Sequence, residues 1–142
     1  MKKAIDIIIC LTISTLCFGQ SVIEMPANPA DSITKLYTTV DQEAMFPGGP
    51  DAWRKYLQKN LKINLPVKNG VPDGKYQVMA KFIVSIDGTI ADIHCITKFG
   101  FGMEEEVIRI IKKSPNWEPA LRYGRKVNSI KTLPVTFFYS TN

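Results

Sequence analysis

Between Tyr76 and Ile86 the even positions Tyr76, Val78, Ala80, Phe82, Val84 and Ile86 are apolar or aromatic, while Gln77, Lys81 and Ser85 fall among the odd ones. A period of two predicts a strand with one buried face. Asp87-Gly88 follows, the pair most favoured in a two-residue hairpin because both central residues need positive φ. With a two-residue turn, Val84 faces Ala91, Phe82 faces Ile93, Ala80 faces Cys95 and Val78 faces Thr97. That register sets Cys95 on the core face and His94 on the opposite face, across from Lys81; a slip of one residue would exchange them.

Two segments carry the helical period instead. Met103, Val107, Ile110 and Ile111 make one stripe over residues 103–113. Glu104, Glu105 and Glu106 stand at the positive end of that helix and Lys112 and Lys113 at the negative end, with Glu105 in reach of Arg109. Ser114-Pro115 stops it. Pro47-Gly48-Gly49 forms a turn, and Pro50 and Asp51 open a helix over about 50–61 whose apolar side holds Trp53, Tyr56, Leu57 and Leu61. Residues 63–75, with Pro66, Gly70, Pro72 and Gly74, read as a loop. A last strand over 126–139 aligns Leu133, Val135, Phe137 and Tyr139.

This order of elements predicts an α+β fold of two layers, a three-stranded antiparallel sheet with both helices on one face. The last strand is expected beside the first, through a right-handed split crossover. Pro134 has no N–H for a ladder, which makes the last strand an edge. Such an edge is either blunted against aggregation or used to capture an extended partner.

The start of the chain reads differently. Lys2 and Lys3 precede an apolar run from Ile7 to Phe18, and Cys17 and Gly19 supply small residues before a cleavage point at Gly19–Gln20. As a helix this run rises about 18 Å, short of a ~30 Å hydrocarbon core. Residues 1–19 are therefore expected to be a cleaved signal peptide of an exported, periplasmic protein. Retention as an inner-membrane anchor is disfavoured by that length, and acylation at Cys17 by the bulky Leu16 before it. Residues 20–39, with Pro26 and Pro29, are expected to be a short linker, and 40–142 the folded domain.

The 142 residues carry a net charge of +5, which falls to about +4 once Lys2, Lys3 and Asp6 are gone. The basic side chains are dispersed, and export sets the chain apart from nucleic acid, which is not expected as a partner. Loss of Cys10 and Cys17 leaves Cys95 without a disulfide partner. His94 is the sole histidine and sits on the face opposite Cys95, so the two share no metal and form no nucleophile–base pair. Consecutive glutamates on a helix diverge by about 100°, which makes 104–106 a helix-start charge cluster rather than a catalytic pair. Trp53 and Trp117 read as packing residues. No catalytic residue, metal, cofactor or small-molecule substrate is expected.

Val40-Asp41, Phe46-Pro47-Gly48-Gly49, the Asp87-Gly88 hairpin, Ser114-Pro115-Asn116-Trp117-Glu118-Pro119-Ala120, Gly124 with Val127, and Leu133-Pro134-Val135-Thr136-Phe137 follow one another in a specific order. Over residues 40–139 this order resembles the C-terminal domain of TonB-type energy transducers in the form common in Bacteroidetes. The resemblance implies a periplasmic, non-catalytic domain that adds the TonB box of an outer-membrane transporter, or a similar peptide of another envelope protein, to its last strand. The implied docking edge is Val127, Asn128, Ser129, Ile130, Lys131 and Thr132. Pro47, Gly48, Gly49, Asp87, Gly88, Pro115, Trp117, Pro119 and Pro134 are the motif positions. In one respect the chain departs from energy-coupling members: about twenty residues separate the apolar run from the domain, where those members carry a retained anchor and a long proline-rich spacer. The expectation is a free-standing relative that does not itself transmit proton-motive force. The alternative is an envelope assembly module that dimerises through the same edge.

Overall fold

The computed structural model describes residues 35–140; the expected signal peptide, Cys17 and most of the expected linker lie outside them. The elements in chain order are β1 (Leu36–Tyr37), α1 (Gly49–Asn60), α2 (Asn64–Lys68), β2 (Gly74–Val84), β3 (Ile90–Cys95), α3 (Met103–Lys113), β4 (Ala120–Arg122) and β5 (Arg125–Tyr139). The sheet runs β1-β5-β2-β3, with β4 also paired to β5. β5 lies beside β2 as expected and antiparallel to it from Ser129↔Val84 to Tyr139↔Gly74.

The α+β class stands, but the three-stranded antiparallel sheet does not. β1 joins β5 in parallel at Asn128 and Ser129, so the sheet is mixed, and β4 adds a short antiparallel pair. β1 also lies within the stretch expected to be linker. Both extra strands span only two or three residues, too few to leave a period in the sequence. α2 was likewise hidden in the expected loop. Its Pro66 is buried and sits in the first turn, where a missing N–H breaks no helical bond.

The alternation in β2 places Val78, Ala80, Phe82 and Val84 in the core, against Met103, Val107, Ile110 and Ile111 of α3. α1 closes the same face through Trp53. Its Tyr56 hydroxyl donates to the Ile110 carbonyl at 3.0 Å. Trp117 fills the centre, with ring centroids 5.1 Å from Phe82, 5.9 Å from Phe46 and 5.7 Å from Trp53.

The hairpin register needs correction near its turn. Ala80↔Cys95 and Lys81↔His94 pair as expected, but Val84 faces Ile90, not Ala91, and the ladder shifts between Lys81 and Ile83. Ser85 N–H bonds Thr89 O, so three residues lie inside the turn and Gly88 takes the left-handed position at φ 84°. Asp92, at φ 51°, lies in the resulting bulge. The extra residue lets Ile90, Ile93 and Cys95 all pack on the core despite their uneven spacing.

Candidate docking edge

Strand pairing along β5 divides the strand in two. Val127 faces Ala120 of β4, while Asn128 and Ser129 face Leu36 and Tyr37 of β1. From Ile130 to Tyr139 β5 has a strand neighbour only on the β2 side among the described residues. The expected edge is thus interior over its first part and an edge only over its second. Proline is placed to suit this. Ile96 N–H donates to Met79 O at 2.8 Å, and Met79 N–H donates to Thr97 Oγ1 at 3.1 Å. Met79 therefore spends both backbone groups on the β3 side, and its partner Pro134 occupies a pair without ladder bonds. The proline nitrogen faces the outer edge, so its missing N–H costs the β2–β5 ladder nothing. By alternation the backbone groups of Ile130, Thr132, Thr136 and Phe138 also face outward.

Three shallow concavities follow this edge. The first gathers Phe46, Pro50, Trp53, Lys131 and Leu133, the second Leu57, Leu61, Val135 and Thr136, and the third Ile63, Val67 and Phe137 to Tyr139. Their walls come from α1 and α2. Gly48, at φ 84°, starts α1, and a Cβ there would stand 2.9 Å from that of Ala52. Gly49 N–H donates to Phe46 O at 2.8 Å, which tightens the Phe46–Gly49 turn at the head of the groove.

The charged cluster at the start of α3 is structural. Glu104 accepts the N–H groups of Phe99 and Gly100. Glu106, 3% exposed, accepts the Lys62 N–H at 2.7 Å and pairs with Arg109 through both side-chain oxygens. The expected Glu105–Arg109 pair is replaced by this one because Glu106 already points inward to the Lys62 backbone. Burial pushes the Glu106 carboxyl up, but the Arg109 and Lys62 hydrogen bonds and charges outweigh it and hold it below the usual glutamate range. A carboxyl depressed on folding stabilises above its unfolded pKa and loses that stabilisation as pH falls through the lower folded value. Glu106→Gln is expected to cost about 2 kcal/mol at neutral pH, less than a fully buried pair because Arg109 is partly exposed. In denaturant titrations it should also lose less stability than the parent on acidification; parallel acid profiles would refute the assignment. At Cys95, burial, with Glu104 and Glu105 in support, pushes the thiol up to about 11, which keeps it protonated at neutral pH.

The motif loop joins both sides of the domain. Ser114 Oγ donates to Ile111 O, and Trp117 Nε1 donates to Ser114 Oγ at 2.9 Å. Pro115 follows the extended C-cap at Ser114. Trp117 N–H bonds Gly88 O at 2.8 Å, and Glu118 bridges Met45 in both directions just before Pro119 leads into β4. Asp87 Oδ1 accepts from the Thr89 N–H and hydroxyl, holding the turn that Trp117 meets.

Residues 75–138 match the family model of the Gram-negative bacterial TonB protein C-terminal. This segment belongs to the TonB C-terminal family. The family is non-catalytic, and its domains generally engage outer-membrane transporters. The match covers β2 through most of β5, while α1 and the Phe-Pro-Gly-Gly turn precede it. Neither the curated proteins nor the solved structures give a match to the chain.

Within this TonB C-terminal domain the six expected edge residues fall into two groups. Val127 and Ser129 are buried at 1% and 2%, and Asn128 Oδ1 accepts the Ile86 N–H at 2.9 Å. These three already have strand partners. Ile130, Lys131 and Thr132 lie where the second neighbour ends; Lys131 Nζ reaches Glu43 at 3.3 Å. The docking residues named from the sequence stop at Thr132, although the whole strand over 126–139 was expected to be an edge; the open stretch continues from Leu133 to Tyr139. Its signal was Pro134 itself, whose position marks the side of β5 that lacks a ladder.

Proposed function

We propose that this chain is a non-catalytic periplasmic interaction domain that takes an extended, TonB-box-like peptide of an outer-membrane transporter as an added strand. The open backbone of β5 from Ile130 to Phe138 beside an apolar groove carries this reading. Backbone bonds to that edge supply affinity, and alternate side chains entering the concavities supply selectivity. Export rests on residues 1–19 acting as a signal peptide cleaved after Gly19, with the domain expected over 40–142 extended to take in β1. No described helix is long and apolar enough to cross a membrane. With the signal removed, the domain binds partners without transmitting proton-motive force.

Titrating a TonB-box peptide into the labelled chain tests this by amide NMR. Shifts and cross-strand contacts should map to Ile130–Phe138. Contacts confined to β3, or none at millimolar peptide, would refute the assignment. Sizing over a concentration series covers the assembly alternative: a dimer whose contacts map to the same residues would replace peptide capture.

A further inference from the structure

At the end of β5 that adjoins β1, three cations gather on one face of the sheet. Arg122 of β4 stands directly opposite Arg125 of β5, on either side of a Tyr123-Gly124 turn whose φ values are 49° and 71°. Alternation from the buried pair Ala120 and Val127 puts both arginines on the face that holds the core. The Arg122 guanidinium lies 4.9 Å from the Tyr37 ring centroid and 5.3 Å from that of Tyr123, and Lys35 Nζ lies 5.4 Å from the Tyr37 centroid. Like charges directly opposite on a ladder are costly. Among the described residues, nevertheless, none of these three cations forms an ion pair. The carboxylates of the neighbouring segments are placed elsewhere. Asp41 Oδ2 accepts the Tyr123 N–H at 2.6 Å, and Glu43 reaches Lys131 at 3.3 Å. Glu118 stands four residues before Arg122, about 13 Å along an extended chain. Three cations against the one Asp41 carboxylate leave this corner with a net charge of +2.

We propose that this corner receives an acidic stretch of the partner peptide, contiguous with the strand docked on β5. The inference rests on strand addition at Ile130–Phe138 and specifies the chemistry of the peptide beyond the docked part. β1 ends the open edge, so the partner chain must leave the sheet there. From Ile130 the arginine pair is five residues on, about 17 Å along β5. Carboxylates roughly five residues beyond the docked strand therefore fall beside Lys35, Arg122 and Arg125. Guanidinium groups offer planar paired donors that match carboxylates, and the two tyrosine rings already hold that of Arg122 in place. A second copy of this corner would bring like charges together. An acidic flank neutralises them and steers the peptide onto the edge in a single direction.

Calorimetric titration tests this with one TonB-box peptide in three forms: unextended, or carrying a neutral spacer of about five residues and three glutamates at its N-terminus or at its C-terminus. One extension should tighten binding by about fivefold or more at low salt and lose that gain at high salt, and the other should add nothing. The effective end then gives the direction of the added strand. Lys35→Gln with Arg125→Gln should remove most of the gain while the unextended peptide binds as it does to the parent. Lys35→Glu with Arg125→Glu should instead prefer an extension of three lysines. Both positions are exposed, so the variants should keep the parent's circular dichroism. Equal gains from both ends, a gain that survives these substitutions, or no gain beside normal docking of the unextended peptide would overturn the inference and leave the docking edge standing. So would capture of phosphatidylglycerol vesicles through Lys35 and Arg125 without any gain from the glutamates. Absence of binding by all three peptides would bring down both.

Discussion

An alanine at Gly88 is expected to cost about 3 kcal/mol, one of the largest losses available from one methyl group in this domain. Gly88 sits at φ 84°, and a Cβ there would stand 2.2 Å from the Trp117 carbonyl oxygen. Two effects combine. The left-handed conformation costs a non-glycine residue about 1 kcal/mol, and relieving the overlap must pull the hairpin away from Trp117 and stretch the Trp117 N–H bond to Gly88 O. Asparagine separates them, because it tolerates the left-handed region yet meets the same carbonyl. Gly88→Asn should therefore remain damaging, whereas Gly124→Asn, at φ 71° with nothing within 4 Å, should be nearly neutral. Urea midpoints of the three variants decide this. A benign Gly88→Asn would show that the hairpin does not depend on its contact with the Trp117 loop.

Proline at Thr132 or Thr136 should reduce peptide binding at least tenfold while leaving the fold intact. The N–H groups of both residues face away from β2, as that of Pro134 would. Each substitution removes a donor worth about 1 kcal/mol to an added strand and places a ring where that strand must approach. Proline at Val135 is the contrasting variant, since it removes a β2 ladder donor and should destabilise the protein by about 3 kcal/mol or more. Calorimetric titration with a TonB-box peptide, alongside melting curves, reads both. Unchanged affinity for the edge variants would end the strand-addition reading even if a peptide binds elsewhere.

These predictions rest on features that were unequally visible in the sequence. The two-residue alternation of β2 and the 103–113 stripe were legible because each runs long enough to repeat its period, and both appear with the expected buried faces. Cys95 and His94 fall on the expected faces because the register is right on their side of the bulge. The turn-proximal register was not legible, since Asp87-Gly88 favours a two-residue turn but also supplies the left-handed glycine that closes a three-residue one. Only the fold shows Gly88 pressed on Trp117. The docking edge was legible as a strand and through Pro134. Its covered stretch was not, because β1 and β4 are set by contacts across long separations in the chain, Leu36 with Asn128 and Gln42 with Leu121.

The parallel pair of Leu36–Tyr37 with Asn128–Ser129 has a geometric consequence for whatever strand is laid beyond it. It is a doorstop. A newcomer cannot slide toward Val127 without colliding with β1, and the distance from Ile130 to Phe138 admits only about 30 Å of extended chain. Sliding by one position would exchange the side chains that enter the groove for those that leave it. By blocking that slide at one end, two residues of the N-terminal segment would bar every frame shifted toward Val127.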